Sequence, residues 1–248
     1  MKWRVLPLAT HDAFYNMATD EAISDAIAQG KAPPTIRFYQ WKPGAVSIGH
    51  FQSMNDEVNV GRCKSFGIDY VRRKTGGGAV YHAENGEITY SVIAPESLFP
   101  KGIIESYKVI CGWVVDGLSE VGISSQFAPI NDILVSGKKI SGNAQTRRRG
   151  TLLQHGTILY DLNVEKMFSI LKISNEKISD KMIKSVEERV TCVLRHKKVS
   201  EEALYKALLK GFTKGKEYEF GKLSANEIEK TSQLVKTVYK TQEWNFMR

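Results

Sequence analysis

The sequence RRKTGGGAVYH at residues 72–82 combines three basic residues, three consecutive glycines and a short apolar run that ends in a histidine. Because glycine has no side chain, a run of glycines leaves backbone amides that a phosphate or carboxylate can approach closely. The arginines add positive charge, and a guanidinium grips a phosphate through two parallel hydrogen bonds. The residues after Gly78 have the character of a strand, so the pattern predicts an anion-binding loop between two strands. A glycine-rich hairpin turn with solvated basic residues beside it is the alternative.

The segment NDILVSGKKISGNAQTRRRGTLLQHGT at 131–157 is a second concentration of positive charge. Five of its residues are lysine or arginine, and Asp132 is its one carboxylate. Lys138 and Lys139 follow a short turn and open a strand, so a lysine amine is presented on a rigid edge. The arginines at 147–149 are expected at the exposed, solvated tip of a hairpin.

These two segments together resemble the lipoate-protein ligases and the related octanoyl and lipoyl transferases of the biotin/lipoate ligase fold. The resemblance covers nearly the whole chain and includes four further segments: NMATDEA at 16–22, IRFYQWKPGAVSIGHFQ at 36–52, LLQHGTIL at 152–159 and EWNF at 243–246. Ligases of this family activate lipoate with ATP to lipoyl-AMP and pass the lipoyl group to one lysine of a carrier domain. The resemblance therefore implies ATP and Mg²⁺ as cofactors, lipoate as substrate, and a lipoyl carrier domain of the glycine cleavage H protein or 2-oxoacid dehydrogenase E2 type as partner.

The resemblance also assigns roles to individual residues. It implies that Lys139 is the catalytic residue and holds the carbonyl and phosphate oxygens, and that Asp132 binds or orients near the Mg²⁺-nucleotide. The other residues that it implies for binding of the nucleotide or lipoyl-AMP are Arg73, Gly76, Gly77, Gly78, Ala79, Val80, Tyr81 and His82. His155, Ser141 and Gly142 are implied to line the substrate site, with a structural histidine bonded to the backbone as the alternative for His155.

This chemistry agrees with the residue types. Acyl adenylation develops negative charge on the α-phosphate and on the carboxylate oxygens, so fixed cations and backbone amides stabilise it without a protein nucleophile. The second step requires an unprotonated carrier lysine aligned with the mixed anhydride, which is largely a matter of positioning.

One departure separates the ligases from the transferases. The transferases use a cysteine thiolate that forms a thioester intermediate, and in their pattern it lies just before the segment equivalent to 129–135. Here the corresponding stretch is SSQFAPINDILV, without a cysteine, and Cys63, Cys111 and Cys192 lie outside both motif regions. We therefore predict an ATP-dependent lipoate-protein ligase, with ATP-independent acyl transfer between carrier proteins as the alternative. Ala83 stands where the family commonly has an aspartate, so we assign no metal or ribose contact there.

The length and composition are typical of one catalytic domain. The chain has 248 residues, of which 42% are hydrophobic, and we expect a sheet-rich core at about 1–162 followed by a helical part at 163–248. Ligases of this family often carry a further C-terminal domain, and we expect that domain to be absent here and supplied by a separate small accessory subunit. The N-terminus has only a short apolar run, which predicts neither a secretory signal nor a membrane span and favours the cytoplasm.

The formal net charge of +8 admits nucleic acid, a membrane surface or an acidic protein as a partner. A nucleic-acid-binding module is the alternative from another class, but the sequence contains no recognised nucleic-acid motif. We favour an acidic carrier domain.

The order of predicted elements indicates the α+β class, with a mixed or antiparallel sheet flanked by helices and a helical C-terminal tail. By resemblance, this is the class II aminoacyl-tRNA synthetase/biotin ligase-like architecture. Strands are predicted at 2–7, 35–40, 45–49, 68–72, 78–82, 87–93, 132–135, 138–143 and 151–160, the last three as a second sheet. Helices are predicted at 12–29, 56–67, 105–122, 163–171, 179–188, 200–214 and 225–240.

Overall fold

Alternating and continuous apolar runs form two β-sheets in the computed structural model, which describes residues 1–172 and 180–248. In chain order the strands are β1 (Trp3–His11), β2 (Thr35–Trp41), β3 (Ala45–Ile48), β4 (Asp69–Arg72), β5 (Val80–His82), β6 (Glu87–Pro95), β7 (Gln126–Ala128), β8 (Asp132–Val135), β9 (Lys138–Arg148), β10 (Thr151–Leu159) and β11 (Tyr218–Phe220). The larger sheet has eight strands in the order β11-β1-β2-β6-β10-β9-β8-β7, and the smaller sheet has three in the order β4-β3-β5.

The larger sheet is mixed. Strands β11 and β2 run parallel to β1, whereas β6, β10, β9, β8 and β7 continue the sheet in antiparallel pairs. Strands β6 and β10 lie at its centre and are buried along nearly their whole length, which their apolar sequences support. Arg149 and Gly150 turn the chain between β9 and β10 with φ values of 50° and 73°. Arg148 and Arg149 are exposed at this tip, as expected, but Arg147 is only partly exposed because it donates to the carbonyls of Pro100 and Lys101 at 2.8 Å each.

The observed strand pairing in the two sheets changes two sequence-based expectations. Strands β4 and β5 both pair with β3 and lie on opposite sides of it. The glycine loop between them is therefore a crossing connection, and the hairpin-turn alternative is wrong. The strands predicted at 132–135, 138–143 and 151–160 do not form a second sheet but join the larger one, because β10 pairs along its length with β6.

The helices are α1 (Ala13–Ala28), α2 (Met54–Glu57), α3 (Val60–Ser65), α4 (Ile103–Glu120), α5 (Val164–Ile170), α6 (Asp180–Arg189), α7 (Glu201–Thr213), α8 (Ala225–Leu234) and α9 (Gln242–Asn245). The helix predicted at 56–67 divides into α2 and α3, because Asn59 caps a new helix by accepting a hydrogen bond from the amide of Arg62. The helix predicted at 225–240 ends at Leu234 and continues as one π-helical turn, Val235–Tyr239. The first residue of the helix predicted at 179–188 lies outside the described residues.

Helices cover both faces of the larger sheet. Helices α4 and α7 pack together on the face formed by Phe38, Tyr90 and Val92, and they approach closely at two glycines. A Cβ atom on Gly211 would lie 2.4 Å from the amide nitrogen of Gly117. On the other face α1 packs on the sheet, with α8 beside it. Over the described residues, no helix has the length and apolar character needed to cross a membrane.

Candidate active site

A cavity of about 340 Å³ is lined by residues of both sheets. It brings together ten of the sequence-predicted site residues: Arg73, Gly77, Gly78, Ala79, Val80, Tyr81, His82, Lys139, Gly142 and His155. Gly76, Asp132 and Ser141 lie beside it. The Gly76 carbonyl accepts a hydrogen bond from Arg73, and the Asp132 carboxylate pairs with Lys139. Ser141 is fully buried, and its hydroxyl donates to Asn143 Oδ1 at 3.5 Å. The two basic segments, 72–82 and 131–157, are far apart in the sequence, but both line the same cavity.

Arg73 is buried at the base of the glycine loop and uses all of its donors within the protein. Its Nε donates to Thr75 Oγ1 at 3.1 Å, and Nη1 donates to the carbonyl and hydroxyl of Ser47 at 3.1 and 3.2 Å. Nη2 donates to the carbonyls of Gly76 and Gly78 at 2.7 and 2.8 Å. A guanidinium has five N–H groups, so each has a partner. Burial lowers the pKa of Arg73 to about 10, and the group stays cationic at neutral pH. Its predicted contact with a nucleotide stays a prediction; what the geometry establishes is that Arg73 fixes the loop.

The loop amides face away from this arginine. In a trans peptide the carbonyl and the following N–H point in opposite directions. Because the carbonyls of Gly76 and Gly78 turn toward Arg73, the amides of Gly77 and Ala79 turn away from it. Gly77 has a φ of 97°, which glycine adopts without strain. These two amides are therefore not directed at Arg73, and both residues line the cavity.

Thr75 links Arg73 to a buried histidine and a carboxylate. Its hydroxyl accepts from Arg73 Nε at 3.1 Å and is hydrogen-bonded to His155 Nε2 at 2.8 Å. The other ring nitrogen, Nδ1, faces Asp20 Oδ2 at 3.5 Å. Burial lowers the pKa of His155 despite the nearby carboxylate, so the ring is neutral at pH 7.

Asp20, the last residue in this series of contacts, stays ionised. Burial pushes its pKa upward, but the nearby His155 ring, the charge of Arg37 and the hydrogen bond from Ser91 outweigh that effect, and the pKa is lowered. Arg37 Nη1 lies 2.8 Å and Ser91 Oγ 2.6 Å from the two carboxylate oxygens. The sequence analysis assigned no role to Asp20, which lies in the segment NMATDEA at 16–22. Its partner His155 lies far along the chain, so spacing gave no signal for the pair.

A second series of hydrogen bonds, also from Arg73 through a hydroxyl and a histidine to a carboxylate, lies on the other side of Arg73. The Ser47 hydroxyl accepts from Arg73 and contacts His82 Nε2 at 2.8 Å, and His82 Nδ1 contacts Glu87 Oε1 at 2.7 Å. The His82 ring also stacks on Trp41 with centroids 4.0 Å apart. His82 thus lines the cavity with a ring face, while both of its nitrogens are bonded within the protein.

Lys139 and Asp132 form an ion pair at the other side of the cavity. Lys139 Nζ lies 2.7 Å from Asp132 Oδ1, and the two side chains are 40% and 33% exposed. The lysine side chain lies over Gly142, where a Cβ atom would be 2.7 Å from Lys139 Cε. The turn beside it is held by Asn131 and Asn143, whose side chains each donate to the other residue's backbone carbonyl. The sequence analysis assigned no role to either asparagine.

The side chains near the cavity determine how Mg²⁺ could be bound. In the described part of the chain, no group of three or more His, Cys, Asp or Glu side chains is arranged to hold a metal. A Mg²⁺ ion that accompanies a nucleotide is held by one or two carboxylates and by phosphates. Asp132 offers one partly exposed carboxylate, so the residues fit a metal that arrives with a nucleotide.

The three cysteines lie apart from the cavity. All are buried, and none is among the described residues that line it. Burial raises the pKa of Cys63 to about 11 and that of Cys111 to about 12, and it also raises the pKa of Cys192. These groups are protonated thiols at neutral pH, not activated nucleophiles.

Comparison with known proteins gives a consistent group of relatives. The family model of the lipoyl protein ligase A/B catalytic domain matches residues 12–213. An octanoyltransferase LipM of Brevibacillus brevis is 34% identical over 276 aligned positions, covering 100% of this chain and 99% of the relative. One of Kyrpidia tusciae is 37% identical over 274 positions, covering 99% of each.

Solved structures resemble this chain over the same extent. A structure from work on a bi-partite lipoate protein ligase and its E2 lipoyl domain, from Thermoplasma acidophilum, has a TM-score of 0.89 at 31% identity and covers 99% of this chain and 96% of that chain. A crystal structure of lipoate-protein ligase A bound with ATP has a TM-score of 0.86 at 28% identity and covers 99% of each chain.

Proposed function

This chain belongs to the family of lipoyl protein ligase A/B catalytic domains, and from that premise we propose that it is the catalytic part of an ATP-dependent lipoate-protein ligase. The observation that carries the proposal is the combination of groups around the cavity. The glycine loop and Lys139 border one space, and no cysteine is among its described lining residues. Such a site stabilises negative charge on bound oxygens but provides no thiolate to carry an acyl group.

The first proposed step is adenylation. A carboxylate oxygen of lipoate bonds to the α-phosphorus of ATP, and the bond to pyrophosphate breaks. Lys139 donates to the carboxyl and α-phosphate oxygens, and the amides of Gly77 and Ala79 bind phosphate oxygens. Asp132 holds the position of Lys139 and would contribute a ligand to Mg²⁺ bound with the nucleotide, where the ion would neutralise charge on the phosphates.

The second proposed step forms the amide. The neutral amine of a carrier lysine attacks the acyl carbonyl, the carbon–oxygen bond to AMP breaks, and the ammonium proton passes to solvent. The enzyme contributes alignment of the two groups, and Lys139 stabilises the developing charge on the carbonyl oxygen.

Two partners belong to this proposal. The first is a lipoyl carrier domain, for which the net charge of +8 favours an acidic surface. The ligase of Thermoplasma acidophilum was described with its E2 lipoyl domain, which supports this class of partner. The second is a separate accessory subunit, because that similar ligase is described as bi-partite.

Octanoyl transfer is the second candidate, and the names of the LipM relatives favour it. A transfer through an acyl-enzyme requires a nucleophile that reaches the donor thioester. The buried thiols Cys63, Cys111 and Cys192 argue against that route here.

An intact-mass assay separates the two candidates. A lipoyl carrier domain is incubated with the protein, lipoate, ATP and Mg²⁺, with and without a small accessory protein. We expect a gain of one lipoyl group that requires ATP. Loading from octanoyl-acyl carrier protein in the absence of ATP would reject the ligase and establish the transferase.

A further inference from the structure

The C-terminal segment 239–245 contacts the base of the glycine loop, although it lies far from that loop in the chain. Trp244 Nε1 donates to the carbonyl of Arg72 at 2.9 Å, and Asn245 Oδ1 accepts from the amide of Arg72 at 2.8 Å. The Asn245 side chain is itself fixed, since its Nδ2 donates to the carbonyls of Tyr239 and Thr241 at 2.7 and 2.9 Å. The backbone at Arg72 is therefore set by a preformed C-terminal turn.

The side chain of Arg72 strengthens this connection. It is fully buried, and it donates to the carbonyls of Trp244 and Asn245 at 3.0 Å each. The same guanidinium donates to three carbonyls of the segment after β3, those of Gly49, His50 and Gln52. Gly49 packs directly against the glycine loop, because a Cβ atom there would lie 2.1 Å from the carbonyl oxygen of Gly77.

Lys74 provides a second connection on the far side of Arg73. Its Nζ lies 4.2 Å from the centroid of the Trp244 ring and 3.3 Å from Glu21 Oε1. Glu21 accepts from the Tyr239 hydroxyl at 2.6 Å. The residues on both sides of Arg73 are thus bound to one short C-terminal segment, while Arg73 points to the opposite side and binds the glycines.

We infer that segment 239–245 is a positioning element for the anion-binding loop, with Trp244 and Asn245 fixing Arg72 and Lys74 so that Arg73 holds the glycines in place. Neither Trp244, Asn245, Arg72 nor Lys74 lines the cavity, so the effect of this segment on chemistry passes through the loop. The inference rests on the proposed function for its kinetic consequence, which is weaker binding of the nucleotide phosphates when the segment is loosened.

The test is Trp244→Phe, which removes the indole N–H but keeps an aromatic ring under Lys74. Two quantities are measured: hydrogen exchange of the amides of 73–79, and KM for ATP beside kcat in lipoate transfer. We expect faster exchange in that segment and a KM for ATP raised by roughly 10-fold, with a smaller change in kcat. Lys74→Met should act in the same direction, and Lys74→Arg should restore the wild-type values because it keeps the cation.

Glu227→Gln is the matched control. It weakens a buried bidentate pair with Arg4, at 2.6 and 2.8 Å, in the same C-terminal part of the chain and without contact to the loop. It should lower stability and leave both quantities unchanged. The inference is overturned if Trp244→Phe and Lys74→Met leave exchange at 73–79 as in the wild type, or if Glu227→Gln reproduces their effects. Wild-type protein that consumes no ATP would reject the proposed function instead, and the exchange comparison would still decide the coupling.

Discussion

At the scale of single residues, Lys139 differs from its neighbour Lys138 in what its amine contacts. Lys139 lines the cavity and its Nζ pairs with Asp132 at 2.7 Å, whereas Lys138 Nζ donates to the carbonyl of Glu187 at 2.9 Å. Adjacent residues in a strand point to opposite faces. The two lysines therefore form a natural comparison within one strand.

We expect Lys139→Ala to lower kcat/KM for lipoyl transfer by about 10²–10³-fold, the usual cost of removing one preorganised donor. Lys138→Ala should change kcat/KM little. Steady-state kinetics measures both, and thermal unfolding checks that both variants are folded. Near-normal transfer by Lys139→Ala would reject its assigned role.

His155 makes stability depend on pH. Its pKa is lowered in the folded state, mainly by burial, so between that value and the ordinary value near 6.5 the unfolded chain binds the extra proton. The contribution of neutral His155 to the free energy of unfolding is therefore complete above about pH 6.5 and is lost as the pH falls below that value. The pKa of His11 is lowered by burial in the same direction.

We therefore expect the free energy of unfolding to fall between pH 7 and pH 5, and His155→Asn to reduce that dependence. Urea unfolding at several pH values measures it. An equally steep dependence in His155→Asn would assign the effect to other groups, of which His11→Asn is the first comparison.

At the scale of elements, the glycine loop depends on how closely β3 approaches it. Gly49 follows β3, and its Cα faces the carbonyl group of Gly77 with no room for a Cβ atom. Two contacts therefore fix the loop: the hydrogen bonds from Arg73 to the carbonyls of Gly76 and Gly78, and the close packing of Gly49.

We expect Gly49→Ala to displace the loop and raise KM for ATP by roughly 10²-fold, since a displacement of about 1 Å is that costly in a positioned site. Gly112→Ala is the matched control. Gly112 lies in α4, where an added methyl group would meet no neighbouring atom within 4 Å, and its substitution should stabilise the protein by roughly 0.5–1 kcal/mol. Wild-type KM in Gly49→Ala would contradict the account of the loop.

At the scale of the whole molecule, the two ends of the chain fold together. Strand β11 pairs with β1, and Arg4 forms its buried pair with Glu227. The sequence-based division into a core at 1–162 and a helical part at 163–248 describes composition, but the second part supplies a strand and α7 to the first.

The sequence singled out the glycine loop, which the structure places at the cavity, because its signal is local: three glycines beside three basic residues. It predicted Lys139 and His82 through family resemblance. It could not predict the partners of Arg73, because Ser47 and Thr75 meet its side chain only after β3 and β4 pair. The contact of Asn245 with Arg72 was equally hidden, since nothing local records a partner 173 residues away. The three-residue strands β7 and β11 were missed because such short segments show no periodicity.

The most direct test of the account is lipoate-dependent exchange of labelled pyrophosphate into ATP, measured with the protein alone and with the proposed accessory subunit. The account predicts exchange that requires lipoate and is abolished in Lys139→Ala. Absence of exchange in both arms, together with ATP-independent octanoyl transfer to the carrier domain, would contradict it.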